Sequence, residues 1–263
     1  MYHPRFYRKG MGTNRFVSFC VIWKESDLWI GIDPDSYRKE IPTFVRRKII
    51  TLRGELDTYN VENPEFRTSL VPLEIARTAS DNIKKMAKAA SKANIGPMAA
   101  VAGLFAQEVG KAIIDKFNPR ELIIENGGDL FIKIDKPITI SVYAGSSLLS
   151  GKVGLNILPV YSPLGICTSA GTFGHSFSKG KADAVVVACK NTALADVFAT
   201  AFCNQVQTEE DISKTLLRTK VFDDILNVLI IKNNKLGVQG KLELKALSPK
   251  ENSPILEGIN EIN

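Results

Sequence analysis

The chain has 263 residues, 44% hydrophobic and 24% charged, a balance ordinary for one large globular domain or two small ones with ample core. Lysine and arginine number 34 against 28 aspartates and glutamates, a surplus of +6 that suits an anionic ligand such as a dinucleotide. It is too diffuse for nucleic acid, because no long basic run interleaved with aromatics is present, and no apolar run approaches a membrane span in length.

Residues 1–12 are basic, aromatic and glycine-punctuated, and are expected to be loosely ordered unless they dock. They hold no apolar h-region, so no secretory signal is expected and the protein is expected in the cytoplasm. Strand-like runs follow at Phe16–Trp23 and Leu28–Ile32, with Lys-Glu-Ser-Asp between them as a hairpin loop. Helical spacing at Val45, Ile49, Leu52, Leu56 and Tyr59 predicts a helix capped by Thr43, and Pro64 and Pro72 predict an irregular segment over 60–72.

A second helix is predicted from Leu73 to Ala93, closed by Gly96, with Pro97 opening the next. That third helix, up to Phe117, is apolar nearly all round and belongs in the core; Gly103 implies close approach by a backbone or ligand. Residues 121–134 read as strand, tight polar turn, strand. Further strands are predicted at 138–143, 153–158, 184–188, 226–232 and 241–246, with a polar helix at 209–218 and a tail from 248 to 263. The four cysteines form no Cys-x-x-Cys pair and are expected to be reduced thiols; Cys20, Cys189 and Cys203 are expected to be buried, with Cys167 beside a polar loop.

Three constellations carry chemistry. Glu-Asn-Gly-Gly-Asp at 125–129 is either ordinary hairpin-turn chemistry or a strand end where backbone amides approach a ligand. His175, in a small-residue loop that also holds Thr168 and Ser169, is either a hydrogen-bonded structural histidine or a general base titrating near neutrality. Asp196 and Thr200, on a helix capped by Thr192, lie four residues apart on one face. They offer two hard oxygens to a Mg²⁺-type ion, or else a dipole contact and a back-bonded threonine.

Taken together and in order, these motifs resemble the ApbE superfamily, whose best-known members are FAD:protein FMN transferases. Met-Gly-Thr at 11–13 is similar to the family's early Met-Gly-Thr, and residues 125–129 to its flavin-site strand end. Residues 167–176 resemble its Thr-Ser-Gly segment leading to a histidine, and 193–201 its Ala-Asp-Ala-x-Ala-Thr-Ala helix. The resemblance runs from about Met11 to Lys245 and is firmest between Gly96 and Asn204.

It implies an α+β, T-fold-like single domain over 13–247, with helices packed on antiparallel sheet. It also implies Asp196 and Thr200 as Mg²⁺ ligands, His175 as catalytic base, and Met11, Asn126, Gly127, Gly128, Asp129, Thr168 and Ser169 at the FAD site. The implied reaction cuts the FAD pyrophosphate and moves FMN onto a hydroxyl of an acceptor protein. The alternatives are a non-catalytic flavin or anionic-ligand binder and an enzyme of another phosphorylated metabolite; a homo-oligomer is compatible with each. Ala102 stands where the transferases carry a lysine, and no Asp-Pro follows His175. Those departures resemble an uncharacterised side branch.

Overall fold

The structure, a computed structural model, describes residue 8, residues 15–172 and residues 179–247. Its strands are β1 (Val17–Trp23), β2 (Ser26–Ile32), β3 (Leu122–Asn126), β4 (Asp129–Lys133), β5 (Ile138–Ser141), β6 (Val153–Ile157), β7 (Leu164–Ser169), β8 (Ala184–Cys189), β9 (Ile225–Lys232), β10 (Lys235–Gly240) and β11 (Glu243–Ala246). The helices are α1 (Ile41–Glu62), α2 (Pro64–Thr68), α3 (Asp81–Ala93), α4 (Val101–Phe117), α5 (Thr192–Gln205) and α6 (Asp211–Thr219). An eight-stranded antiparallel sheet runs in the order β1-β2-β3-β4-β7-β8-β9-β10, and a three-stranded sheet in the order β11-β6-β5.

The large sheet is covered on both faces. Side chains alternate along each strand, so Ile124, Phe131, Cys167 and Val187 join a core shared with α1, α3, α4 and α5. Ile123, Ile132, Ile166 and Val186 point the other way, into a second core beneath the small sheet. This mixture of helix and antiparallel sheet is the class the sequence predicts.

Several boundaries move for local reasons. α1 begins at Ile41 with Pro42 in its first turn and no side-chain cap, so Thr43 lies inside the helix rather than capping it. The segment 60–72 is not wholly irregular: Pro64 opens the short helix α2. α3 starts at Asp81, not Leu73, because the Ser80 hydroxyl accepts the Ile83 N–H and caps it, a contact worth about 1 kcal/mol. Asn191, not Thr192, caps α5, accepting the Leu194 N–H at 3.0 Å. The predicted strand at 241–246 shortens to β11, which pairs with β6 in the other sheet, and β10 at Lys235–Gly240, which pairs with β9, is not among the predicted strands.

The stretch Pro97–Phe117, a 3-10 turn followed by α4, is long and apolar enough by length and composition to cross a membrane, contrary to the sequence expectation. Its apolar residues Leu104, Phe105, Val109 and Ile113 are buried in the helical core. The cysteine expectation is also corrected: Cys20 is the exposed thiol, because alternation along β1 turns it outward with Ser18 and Ile22, while Cys167 is buried with Cys189 and Cys203.

Candidate functional site

β3 and β4 are joined by the two-residue turn Gly127–Gly128, with φ of 71° and 101°, values that glycine adopts without a Cβ clash. The turn pairs Asn126 with Asp129, so both side chains leave the sheet on the helical side. Cys167 and Ser169 of β7 point the same way by alternation. α5 crosses above them and lowers Asp196 onto Asp129. α4 approaches from its first turn, and Gly103 permits the contact: a Cβ there would stand 2.6 Å from the Thr192 carbonyl and 2.8 Å from the Asp196 Cβ.

Asp196 is thus held by α4 rather than by its own helix end. Its Oδ2 accepts the Gly103 N–H at 2.8 Å, and the Ala102 amide also bonds to its carboxylate. Asn126 Nδ2 donates to the Ala102 carbonyl at 3.1 Å, tying the glycine turn to the same helix start. The Cys167 thiol has two acceptors in reach, the Thr192 carbonyl at 3.4 Å and the Asp129 carboxylate.

Two carboxylates therefore meet in a buried place. Burial pushes Asp196 up to about 7, although the α4 amides and the hydrogen bond with Asp129 pull the other way. Burial, followed by the Asp196 charge, drives Asp129 well above the usual carboxylate range; the Cys167 thiol and Thr168 amide offset this only in part. Among the described residues no lysine, arginine or histidine makes an ion pair with either carboxylate. Such a pair is neutralised by a shared proton or by a bound cation.

The structure brings Asn126, Asp129, Ser169, Asp196 and Thr200 to the helical side of one sheet end. Ser169 Oγ is buried there with no hydrogen-bond partner among the described residues. Thr51 donates its hydroxyl back to the Arg47 carbonyl, but Thr200 makes no such bond among the described residues. Thr168 and Ser169 lie on β7 rather than in a loop, and alternation sends the Thr168 side chain to the opposite face. Thr168 serves the site through its backbone N–H, which bonds to Asp129. Gly128 N–H is already taken by Glu125 Oε1 at 2.8 Å, so that amide is not open to a ligand as expected. Met11 and His175 lie outside the described residues.

Sequence reasoning missed Cys167, the Ala102 and Gly103 amides, and an ion-pair group of Arg8, Asp27 and Glu125 beside the turn. Strand parity from Asp129 to Phe131 and from Gly165 to Cys167 was the available signal for the thiol. Arg8 had none beyond its basic surroundings. Two surface grooves lie elsewhere: about 400 Å³ beside Tyr59 and Ser80, and about 330 Å³ beside Phe202 and Phe222. Neither is lined by Asp129 or Asp196.

The family model described as "AbpE bacteria" matches residues 8–224. A UPF0280 protein of Methanocaldococcus jannaschii is 35% identical over 227 residues, covering 84% of this chain and 90% of that protein. A UPF0280 protein of Methanospirillum hungatei is 47% identical over 156 residues, covering 59% and 63%. Among solved structures, the flavin transferase ApbE of Vibrio cholerae aligns with a TM-score of 0.59 at 11% identity, covering 85% of this chain and 96% of that one. The ApbE protein of Thermotoga maritima aligns with a TM-score of 0.53 at 11% identity, covering 84% and 96%. At such identities the likeness is one of fold. Model and relatives together establish that the chain belongs to the AbpE bacteria family, a side branch of the ApbE-like superfamily with the flavin-transferase fold.

Proposed function

We propose that the cleft between β4, β7, α4 and α5 binds a flavin dinucleotide with a divalent cation, and that the protein transfers FMN from FAD to a hydroxyl of an acceptor protein. The observation that carries this reading is the buried Asp129–Asp196 pair, two carboxylates side by side with no basic partner among the described residues.

The donor set fits a Mg²⁺-type ion: the Asp196 carboxylate, the Thr200 hydroxyl one helical turn on, and Asp129 opposite are all hard oxygens. A cluster of three or more His, Cys, Asp or Glu side chains arranged as ligands is not present among the described residues. When bound, the ion neutralises charge at the pyrophosphate. The protein's own residues do the rest. α4 amides fix the Asp196 carboxylate, the Asn126 bond to Ala102 sets the distance between glycine turn and helix, and Ser169 Oγ offers a donor to the ligand. His175 is assigned the base that takes the acceptor hydroxyl's proton. The four cysteines stand as thiols, which supports a reducing, cytoplasmic setting.

A second reading, binding without transfer, is favoured by Ala102: its side chain supplies no charge to a leaving phosphate. Calorimetric titration of ligand-free protein with FAD and riboflavin, with and without Mg²⁺, joined to an FMN-transfer assay on wild type and His175→Ala, tests both. FAD binding that is tighter than riboflavin and helped by Mg²⁺ supports the dinucleotide cleft. Turnover lost in His175→Ala with affinity kept within a few-fold supports transfer. Equal binding of riboflavin and FAD removes any role for the pyrophosphate.

A further inference from the structure

We propose that Arg8 is a positioning residue for the cleft: it holds Glu125 on the Gly128 amide and so fixes the glycine turn that carries Asp129. The inference rests on the reading of the cleft as the ligand site.

All three guanidinium nitrogens of Arg8 are engaged. Nε donates to Glu125 Oε2 at 2.5 Å, Nη1 to Asp27 Oδ1 at 2.7 Å and Nη2 to the Asp27 carbonyl at 2.8 Å. The side chains are 11% exposed for Arg8, 7% for Asp27 and 1% for Glu125, so the group is removed from water. The other oxygen of Glu125, Oε1, accepts the Gly128 N–H at 2.8 Å. A continuous line of contacts thus runs from the start of β2 through Arg8 and Glu125 to Gly128, the residue before Asp129.

The line matters because Gly127 and Gly128 have no side chains of their own to fix the turn. Asn126 secures its entry by the bond to Ala102, and the Thr168 amide and Cys167 thiol meet Asp129 after its exit. Between these, Glu125 is the side chain that holds Gly128. Arg8 in turn holds Glu125: without the guanidinium, a nearly fully buried carboxylate loses a charged partner and is drawn toward water. Its hold on Gly128 then weakens, and Asp129 loses its fixed place opposite Asp196. A buried ion pair of this kind adds little net stability, so its placement beside the turn is better explained by geometry than by folding energy.

The test uses the full chain as Arg8→Gln, Arg8→Lys, Glu125→Gln and the double variant Arg8→Gln/Glu125→Gln. It reads amide hydrogen exchange at 126–129 without ligand, and FAD affinity in Mg²⁺. Arg8→Gln is expected to speed exchange at 126–129 and to weaken FAD by about tenfold, the scale of losing a residue that orients a ligand-holding group. The double variant, with two neutral amides able to pair, is expected to recover most of both losses, and Arg8→Lys to fall between. A role as a mere anchor of the chain would lower the melting temperature without moving exchange at the turn and without rescue by Glu125→Gln, and that result overturns the proposal. So does unchanged exchange and affinity in Arg8→Gln. If Arg8→Gln does not fold, Arg8→Lys carries the same comparison. Wild-type protein that fails to bind FAD removes the flavin reading, while the exchange measurement still decides the role of Arg8.

Discussion

The carboxylates of Asp129 and Asp196, brought by a strand end and a helix face, share a hydrogen bond inside the protein. One proton between two buried acids is the state this contact favours without a cation, because burial disfavours both charges. Both folded-state pKa values therefore lie above those of the unfolded chain. Between the unfolded value near 4 and the folded value of about 7 for Asp196, the native protein holds a proton that the unfolded chain has released. Stability from this pair is present below that window and is lost as pH rises through it. Urea midpoints for ligand-free wild type are expected to fall between pH 5 and pH 8 more than those of Asp129→Asn, and equal falls would refute the shared proton.

A cation bound at the pair would reverse that preference, since such an ion requires the ionised carboxylates. Mg²⁺ is expected to raise the melting temperature of wild type more at pH 8 than at pH 6. Asp196→Asn is expected to lose that response while keeping or gaining ligand-free stability, because it removes an acid whose charge burial disfavours. Saturation at a hundred times the dissociation constant corresponds to about 2.7 kcal/mol, readily seen by thermal melting. An undiminished Mg²⁺ shift in Asp196→Asn would place the cation elsewhere.

Gly103 and Gly54 make a matched pair of helix glycines. A Cβ at Gly103 meets the Thr192 carbonyl at 2.6 Å, and backbone of a packed helix cannot step aside cheaply. Gly103→Ala is expected to cost about 1–3 kcal/mol by forcing α4 from α5, and to weaken ligand binding with it. Nothing lies within 4 Å of a Cβ at Gly54 on α1, so Gly54→Ala is expected to stabilise by about 0.5–1 kcal/mol. Denaturant unfolding of both variants checks the contrast; two similar changes would mean that α4 and α5 are not in backbone contact.

Thiol chemistry gives a further check. Cys20 is exposed, whereas burial pushes Cys189 up to about 12, and burial with the Asp129 charge raises Cys167 well above the ordinary thiol range. One thiol of the folded protein is expected to react promptly with an aromatic disulfide reagent at pH 8, and Cys20→Ser to abolish that phase. Fast reaction of Cys167 would show the site more open to water than the packing implies.

The local alphabet of the fold was legible in the chain. Strand-like composition marked β1 and β2, the paired glycines marked the β3–β4 turn, and the spacing of Val45, Ile49, Leu52 and Leu56 marked the buried stripe of α1. Gly103 announced a close approach from its alanine-rich surroundings, and four-residue spacing put Asp196 and Thr200 on one face. Each of these depends on neighbours within a turn or a strand, where steric and hydrogen-bonding preferences act directly on the written order of residues.

What the tertiary structure decided is which faces meet. Asp129 and Asp196 stand far apart in the chain, and their contact exists because β4 lies beside β7 and α5 packs across both. The same packing turned Asp196 toward the α4 amides, buried Cys167 and sent the Thr168 side chain away from the Asp129–Asp196 pair. It also set Arg8 of the N-terminal segment against Glu125, over a hundred residues on. Periodicity tells a helix which side is apolar, but close packing, charge and the burial of two layers at once choose its partner. Those are properties of the assembled sheet and not of any stretch of sequence.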